Sequence, residues 1–169
     1  PRTDIFTAGR QLSVPAVDFT GLTANLSQLR TLAQQGGKYF GPSQYSGNPA
    51  QGYHITLKTD DTFDIRVVRS VRNPPSGCSN SQNQAQWGTW SVNQQASAQN
   101  YPIPANGVIF VEDNIWVDGT INTARVTIAA GELPDPGPSS WSNITVNNDL
   151  RYTNHDGSFS IRSTRNASA

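Results

Sequence analysis

The sequence predicts a mainly β domain, a short right-handed β-solenoid or β-helix-like stack with an inserted α-helix and β-hairpin. Two observations carry this. From Gly107 to Ala130 the chain is a series of short apolar pairs, Ile109/Val111, Ile115/Val117, Ile121, then Val126/Ile128. Each pair has period-two spacing, so both members fall on one face of an extended strand. Glu-Asp-Asn and Asp-Gly separate the pairs, and these residues turn the chain. Strands this short suit the rungs of a solenoid, where each coil buries its inward side chains on the next. Secondly, Ile109-x-Val111-x-x-x-Ile115-x-Val117 returns 35 residues later as Ile144-x-Val146-x-x-x-Leu150-x-Tyr152, with a looser copy at Ile5 to Val14. A fixed internal period marks repeat architecture. The alternative is an antiparallel β meander or sandwich with one helix.

In chain order, residues 4–14 read as an extended first rung that Pro15 closes. From Val17 the period changes: Phe19, Leu22, Leu26, Leu29, Leu32 and Ala33 recur at helical spacing, with Asp18 or Thr20 to cap the start and Gly36-Gly37 to stop it. Its apolar stripe reads as a packing face. Residues 38–51 read as loop, with Tyr39, Phe40 and Tyr45 to cover core. Tyr53, Ile55 and Leu57, then Phe63, Ile65 and Val67, alternate on either side of a short polar turn, the signature of a β-hairpin. Residues 73–100 are dominated by Asn, Gln, Ser, Gly and Pro, with one short strand expected at Thr89 to Val92. Residues 133–140 interrupt the coils and residues 143–153 restore them. The expected organisation is a single extracellular domain over 1–169: rungs at 4–14 and 105–153, an inserted helix plus hairpin over 15–100 packed on a flank or capping the stack, and a polar tail at 154–169.

Composition narrows the function. The 169 residues carry 12 Lys plus Arg against 12 Asp plus Glu, and charged residues make up 14%. Nucleic-acid binders depend on a basic excess for much of their affinity, so global charge gives no strong nucleic-acid signal. Cys78 is the single cysteine and forms no internal disulfide. The chain has no methionine and opens on Pro1, as expected of a processed or excised piece. No run approaches the roughly 18 apolar residues of a bilayer span, so a membrane anchor is expected only upstream.

The candidates for chemistry are few. His54 and His155, the two histidines, read as exposed or turn residues, and no Gly-x-Ser-x-Gly elbow accompanies them. The carboxylate pairs Asp60/Asp61 and Glu112/Asp113 are adjacent in sequence, so on a strand their members point to opposite faces and neither pair performs glycoside hydrolysis alone. Oxygen ligands for Ca²⁺ would come from Glu112, Asp113, Asn114 and Asp118, or from Asn147, Asn148 and Asp149; the bland reading is that these satisfy turn backbone groups. Asp113, Asp118 and Asp149 are thus weak Ca²⁺ candidates, and no other cofactor or metal is expected. Asn25, Asn143 and Asn166 begin glycosylation-type triplets. Trp116, Trp87, Trp90 and Trp141 are candidates for a sugar-stacking surface, with Trp116, in the outward phase between Ile115 and Val117, expected to be exposed.

Four stretches together resemble a known family: Val-Asp-Phe…Leu-x-x-Leu-x-x-Leu-Ala-Gln-Gln-Gly-Gly; Tyr-His-Ile-Thr-Leu…Thr-Phe-Asp-Ile; Asn-Gly-Val-Ile-Phe-Val-Glu-Asp-Asn-Ile-Trp-Val-Asp-Gly-Thr-Ile-Asn…Arg-Val-Thr-Ile-Ala-Ala; and Asn-Ile-Thr-Val-Asn-Asn-Asp-Leu-Arg-Tyr-Thr. The chain from about residue 15 to 157 resembles the ectodomains of bacterial PilX-like, type IV pilus-associated proteins of the prepilin type. It departs from them in lacking the N-terminal hydrophobic helix and in its ending, Gly157-Ser-Phe-Ser-Ile-Arg. The resemblance implies a secreted, β-rich, pilus-associated protein at the cell surface whose partners are other pilin-like or surface-assembly subunits. The expected function is therefore a non-enzymatic structural, minor-pilin-like component with an adhesive role. A carbohydrate-binding module using the tryptophans is the alternative, and a glycan-cleaving β-helix enzyme a lesser one.

Overall fold

The computed structural model describes residues 20–72, 91–137 and 140–153. Among these residues the protein is mainly β with one helix: α1 (Thr20–Gly36), β1 (Lys38–Phe40), β2 (Gln44–Tyr45), β3 (Asn48–Pro49), β4 (Gly52–Leu57), β5 (Thr62–Val71), β6 (Val92–Gln95), β7 (Gln99–Pro102), β8 (Val108–Val111), β9 (Ile115–Ile121), β10 (Thr127–Ala130) and β11 (Ile144–Tyr152). The expected first rung at 4–14, Cys78, Trp87, Trp90, His155 and the tail 154–169 lie outside the described residues.

Two sheets enclose the core, and neither closes on itself. The first is three-stranded in the order β1-β8-β10, with every pairing parallel. The second runs β11-β9-β4-β5-β6, with β7 also on β5; β4, β9 and β11 are mutually parallel, and β5 returns antiparallel to β4. The chain thus crosses from the first sheet to the second three times, as β1 to β4, β8 to β9, and β10 to β11. The three passes stack in the same order in both sheets.

The short apolar pairs form strands because they bury both faces. In β8, Ile109 and Val111 point between the sheets onto Ile55, Leu57, Phe63, Ile65, Ile115, Val117 and Ile121. Val108 and Phe110 point the other way, onto Ala33, Ala129 and the partly buried Leu26 and Leu29. A parallel strand covered on both sides reads as a continuous apolar run, and Val-Ile-Phe-Val is one. Burying four such side chains contributes about 6–12 kcal/mol at the usual rate per residue, an upper figure because unfolded chains already bury some area. The helical stripe packs as expected through Leu26, Leu29 and Ala33, although Leu32 stays 38% exposed.

Four expectations change. The 35-residue offset is not the structural register. Ile144 pairs with Ile115, 29 residues away, and Ile128 pairs with Ile109, 19 away. Similar Ile-x-Val pairs recur at every pass, so a sequence match links strands that lie in different sheets. The hairpin is present, with Ile55 opposite Ile65, but it does not merely flank the stack: β4 lies beside β9 in parallel register, Tyr53 against Ile115. Its alternating face fits the same core as Ile115 and Val117, and that draws residues 38–57 into the sheets. Residues 38–51, expected as loop, supply β1, β2 and β3 instead. Of the strand expected at Thr89 to Val92, Thr89 and Trp90 lie outside the described residues, and a strand runs over Val92–Gln95.

Gly119 allows β4 and β9 to meet closely. It has φ +107°, and a Cβ there would lie 2.1 Å from the Leu57 carbonyl oxygen.

Candidate functional site

The outer face of the second sheet carries a polar grouping that spans four strands. Register builds it in two rows. Arg66, His54, Trp116 and Thr145 sit side by side on β5, β4, β9 and β11. Asp64, Thr56 and Asp118 form the next row. On β11 the register slips between Val146 and Leu150, so Asn147-Asn148-Asp149 bulges. The Asn147 amide thereby reaches Asp118 Oδ2 at 2.9 Å.

His54 is buried rather than exposed, at 8%. Period two correctly put it in the phase opposite Ile55, but phase names a face and not whether that face is covered. Its Nε2 lies 2.9 Å from Asp118 Oδ2 and its Nδ1 2.9 Å from Gln95 Oε1 on β6. An ionised Asp118 only accepts, so Nε2 donates to it. Burial opposes charge on Asp118, yet hydrogen bonds from Asn147 and His54 outweigh that and hold its pKa below the ordinary aspartate value. The Thr56 hydroxyl, Oγ1, is 3.5 Å from the same Nε2 that Asp118 engages. A nucleophile would need the ring nitrogen opposite the carboxylate, and that one faces Gln95. The chemistry this geometry performs best is a lateral tie across β6, β4, β9 and β11.

A second polar group fixes the helix. Tyr39 donates to Glu112 Oε2 at 2.7 Å, and Arg30 Nε lies 2.9 Å from Glu112 Oε1. The Arg30 contact is an ion pair whose N–H is not aimed at the oxygen. Burial, then the bond to Glu112, pushes the Tyr39 phenol up.

The remaining sequence candidates disperse. Trp116 is 0% exposed, the reverse of its expectation, because β9 is a central strand covered on both faces. Trp141 is 58% exposed and donates Nε1 to Asp135 Oδ1 at 2.9 Å. One is buried and one exposed, so the two do not share a stacking surface. Asp113 accepts from the Ser43 backbone and hydroxyl and from the Asn114 backbone, while Asp149 pairs with Arg151. Asp113, Asp118 and Asp149 are therefore engaged at separate places. Among the described residues no group of three or more His, Cys, Asp or Glu side chains is placed to hold a metal ion.

Sequence reasoning missed the His54–Asp118 contact because 64 residues separate them. The available signal was that each is a polar residue in the off-phase of a strongly apolar strand. It missed Asp61 as well, the partner of three successive backbone N–H groups, Asn122, Thr123 and Ala124, and of the Thr123 hydroxyl. The Thr123 hydroxyl first, and then those N–H groups, hold the Asp61 pKa low against its small desolvation. Turn-backbone satisfaction of this kind recurs at the other corner, where Asn114 Oδ1 accepts from the Asn143 backbone and Asn114 Nδ2 donates to the Gln51 carbonyl.

No family model, curated protein or solved structure matches the chain. No helix among the described residues is long and apolar enough to cross a membrane.

Proposed function

We propose that this chain is a non-enzymatic β-solenoid-like scaffold, a structural component of a pilus-like assembly at the cell surface. The observation that carries the reading is the three-pass parallel stacking of both sheets, with Ile109, Val111, Ile115 and Val117 in register between passes. Stacked short strands make a stiff body whose sides display loops, and shape rather than a reactive group then does the work. The polar ties support this, since His54, Asp118, Glu112 and Asp113 all hold neighbouring strands or the helix. The family resemblance in the sequence supplies the pilus-like setting and the pilin-like or surface-assembly partners.

The carbohydrate-binding alternative loses its leading residue with Trp116 buried. The glycan-cleaving alternative loses the Glu112/Asp113 pair, whose carboxylates are engaged with Arg30 and Tyr39 on one side and Ser43 on the other. The test is to shear surface filaments from the source cell and probe the fraction with antibody to this domain. Enrichment with filament subunits is the expected result. Confinement to the soluble intracellular fraction, or polysaccharide turnover lost on Asp113→Asn, would overturn the proposal.

A further inference from the structure

The stack ends unequally. Past β4 the second sheet continues into β5, but β10 and β11 are both edge strands among the described residues. Ile144 and Val146 share the phase of Ile115 and Val117, yet they are 41% and 62% exposed. Ile128 and Ala130 of β10 pack on the core and are only partly buried. An edge with free backbone groups and apolar inward side chains is a template for another strand.

The chain that follows β11 matches that template. Tyr152 is in register with Ile121. After Ile121 the chain turns through five residues, 122–126, and enters β10 at Thr127. After Tyr152 the same five-residue interval, 153–157, leads to Ser158-Phe159-Ser160-Ile161. Thr153 starts out stacked on the first turn, since the Thr153 N–H donates to the Ile121 carbonyl at 2.9 Å and the Thr153 hydroxyl donates to Asn122 Oδ1. Asp156-Gly157-Ser-Phe-Ser-Ile also repeats the pattern of Asn106-Gly107-Val-Ile-Phe-Val at the entry to β8. In that alignment Phe159 takes the inward phase of Ile109 and Ile128, and Ile161 that of Val111 and Ala130. Ser160, like Ala129, is a small residue in the outward phase.

We propose that the free edge of β10 is the docking surface for this chain's own Ser158–Ile161 segment, which would pair parallel to it and cover the apolar end of the stack. The inference rests on the stacked reading above. The ladder fixes which amides take part. Glu112 N donates to Phe40 O at 2.9 Å, and one pass on, Thr127 N donates to Gly107 O at 2.8 Å and Gly131 N to Val111 O at 3.0 Å. Carried one pass further, the docked segment would donate from the Ser158, Ser160 and Arg162 amides to the carbonyls of Val126, Ile128 and Ala130. Its Phe159 and Ile161 amides would be left on the open side.

Residue-resolved amide exchange on the full chain, at two protein concentrations, tests this. After correction for intrinsic rates, Ser158, Ser160 and Arg162 should exchange at least about tenfold more slowly than Phe159 and Ile161. The alternation should be the same at both concentrations and vanish in Phe159→Ser. Uniformly fast exchange over 158–162 with β4 and β9 protected would overturn the docking and leave the stack standing. Fast exchange in β4 and β9 would overturn both. Protection that grows with concentration would assign the edge to a second copy and overturn the intramolecular proposal.

Discussion

Replacing Gly119 with alanine isolates the close approach on which the parallel stack depends. Gly119 has φ +107°, where a side chain brings about 1–3 kcal/mol of backbone strain. The added Cβ would also lie 2.1 Å from the Leu57 carbonyl oxygen and 2.7 Å from the Leu57 nitrogen. Those are backbone atoms of β4, so relief requires β4 and β9 to separate, and that weakens one or two ladder hydrogen bonds at about 1 kcal/mol each. The sum is about 2–5 kcal/mol, a large part of the stability of an ordinary domain. Gly47→Ala is the matched control: its φ is +78°, but a Cβ there meets nothing within 4 Å. It loses only the strain, about 1–2 kcal/mol. Urea unfolding followed by circular dichroism should place the Gly119→Ala midpoint well below that of Gly47→Ala. Equal midpoints would mean that β4 and β9 do not pack as closely as this, and the stacking argument would fail with them.

Trp116→Ala should cost about 3–5 kcal/mol, as emptying a large buried site does, whereas Trp141→Ala should stay within about 0.5 kcal/mol. A stability-neutral Trp116→Ala in thermal melts would restore Trp116 as a surface candidate. Acid should weaken the fold through Asp61 and Asp118, whose folded pKa values are depressed. Such groups contribute stability that is fully present above the unfolded aspartate value of about 3.9 and is lost as pH falls through the folded value. Asp61→Asn should therefore melt below wild type at neutral pH, with the gap closing below about pH 4. A gap that stays constant from neutral to acid pH would show that the Asp61 carboxylate charge is not what holds the 122–124 turn.

The sequence by itself determined the helix, the hairpin and the extended character of the short apolar pairs, but not β1 to β3. Helical spacing from Leu26 to Ala33, alternation over Tyr53–Leu57 and Phe63–Val67, and the short apolar pairs of 109–128 each specify a local conformation, because period and turn chemistry are properties of neighbouring residues. It also assigned the faces correctly for Ile109, Ile115 and Val117, inward, and for His54 and Trp116, on the opposite phase; Asp118-Gly119, expected to turn the chain, lies inside β9 instead. Only the tertiary structure decided which strands lie side by side. Interchangeable Ile-x-Val pairs carry no label for their partner, so the apparent 35-residue repeat gave way to registers of 19 and 29. The tertiary structure also decided which outward faces are covered. Burial of Trp116, the reach of His54 to Asp118 and the engagement of Asp61 with residues 122–124 all join groups more than 60 residues apart or depend on what packs above a strand. These are long-range contacts, and periodicity contains no term for them.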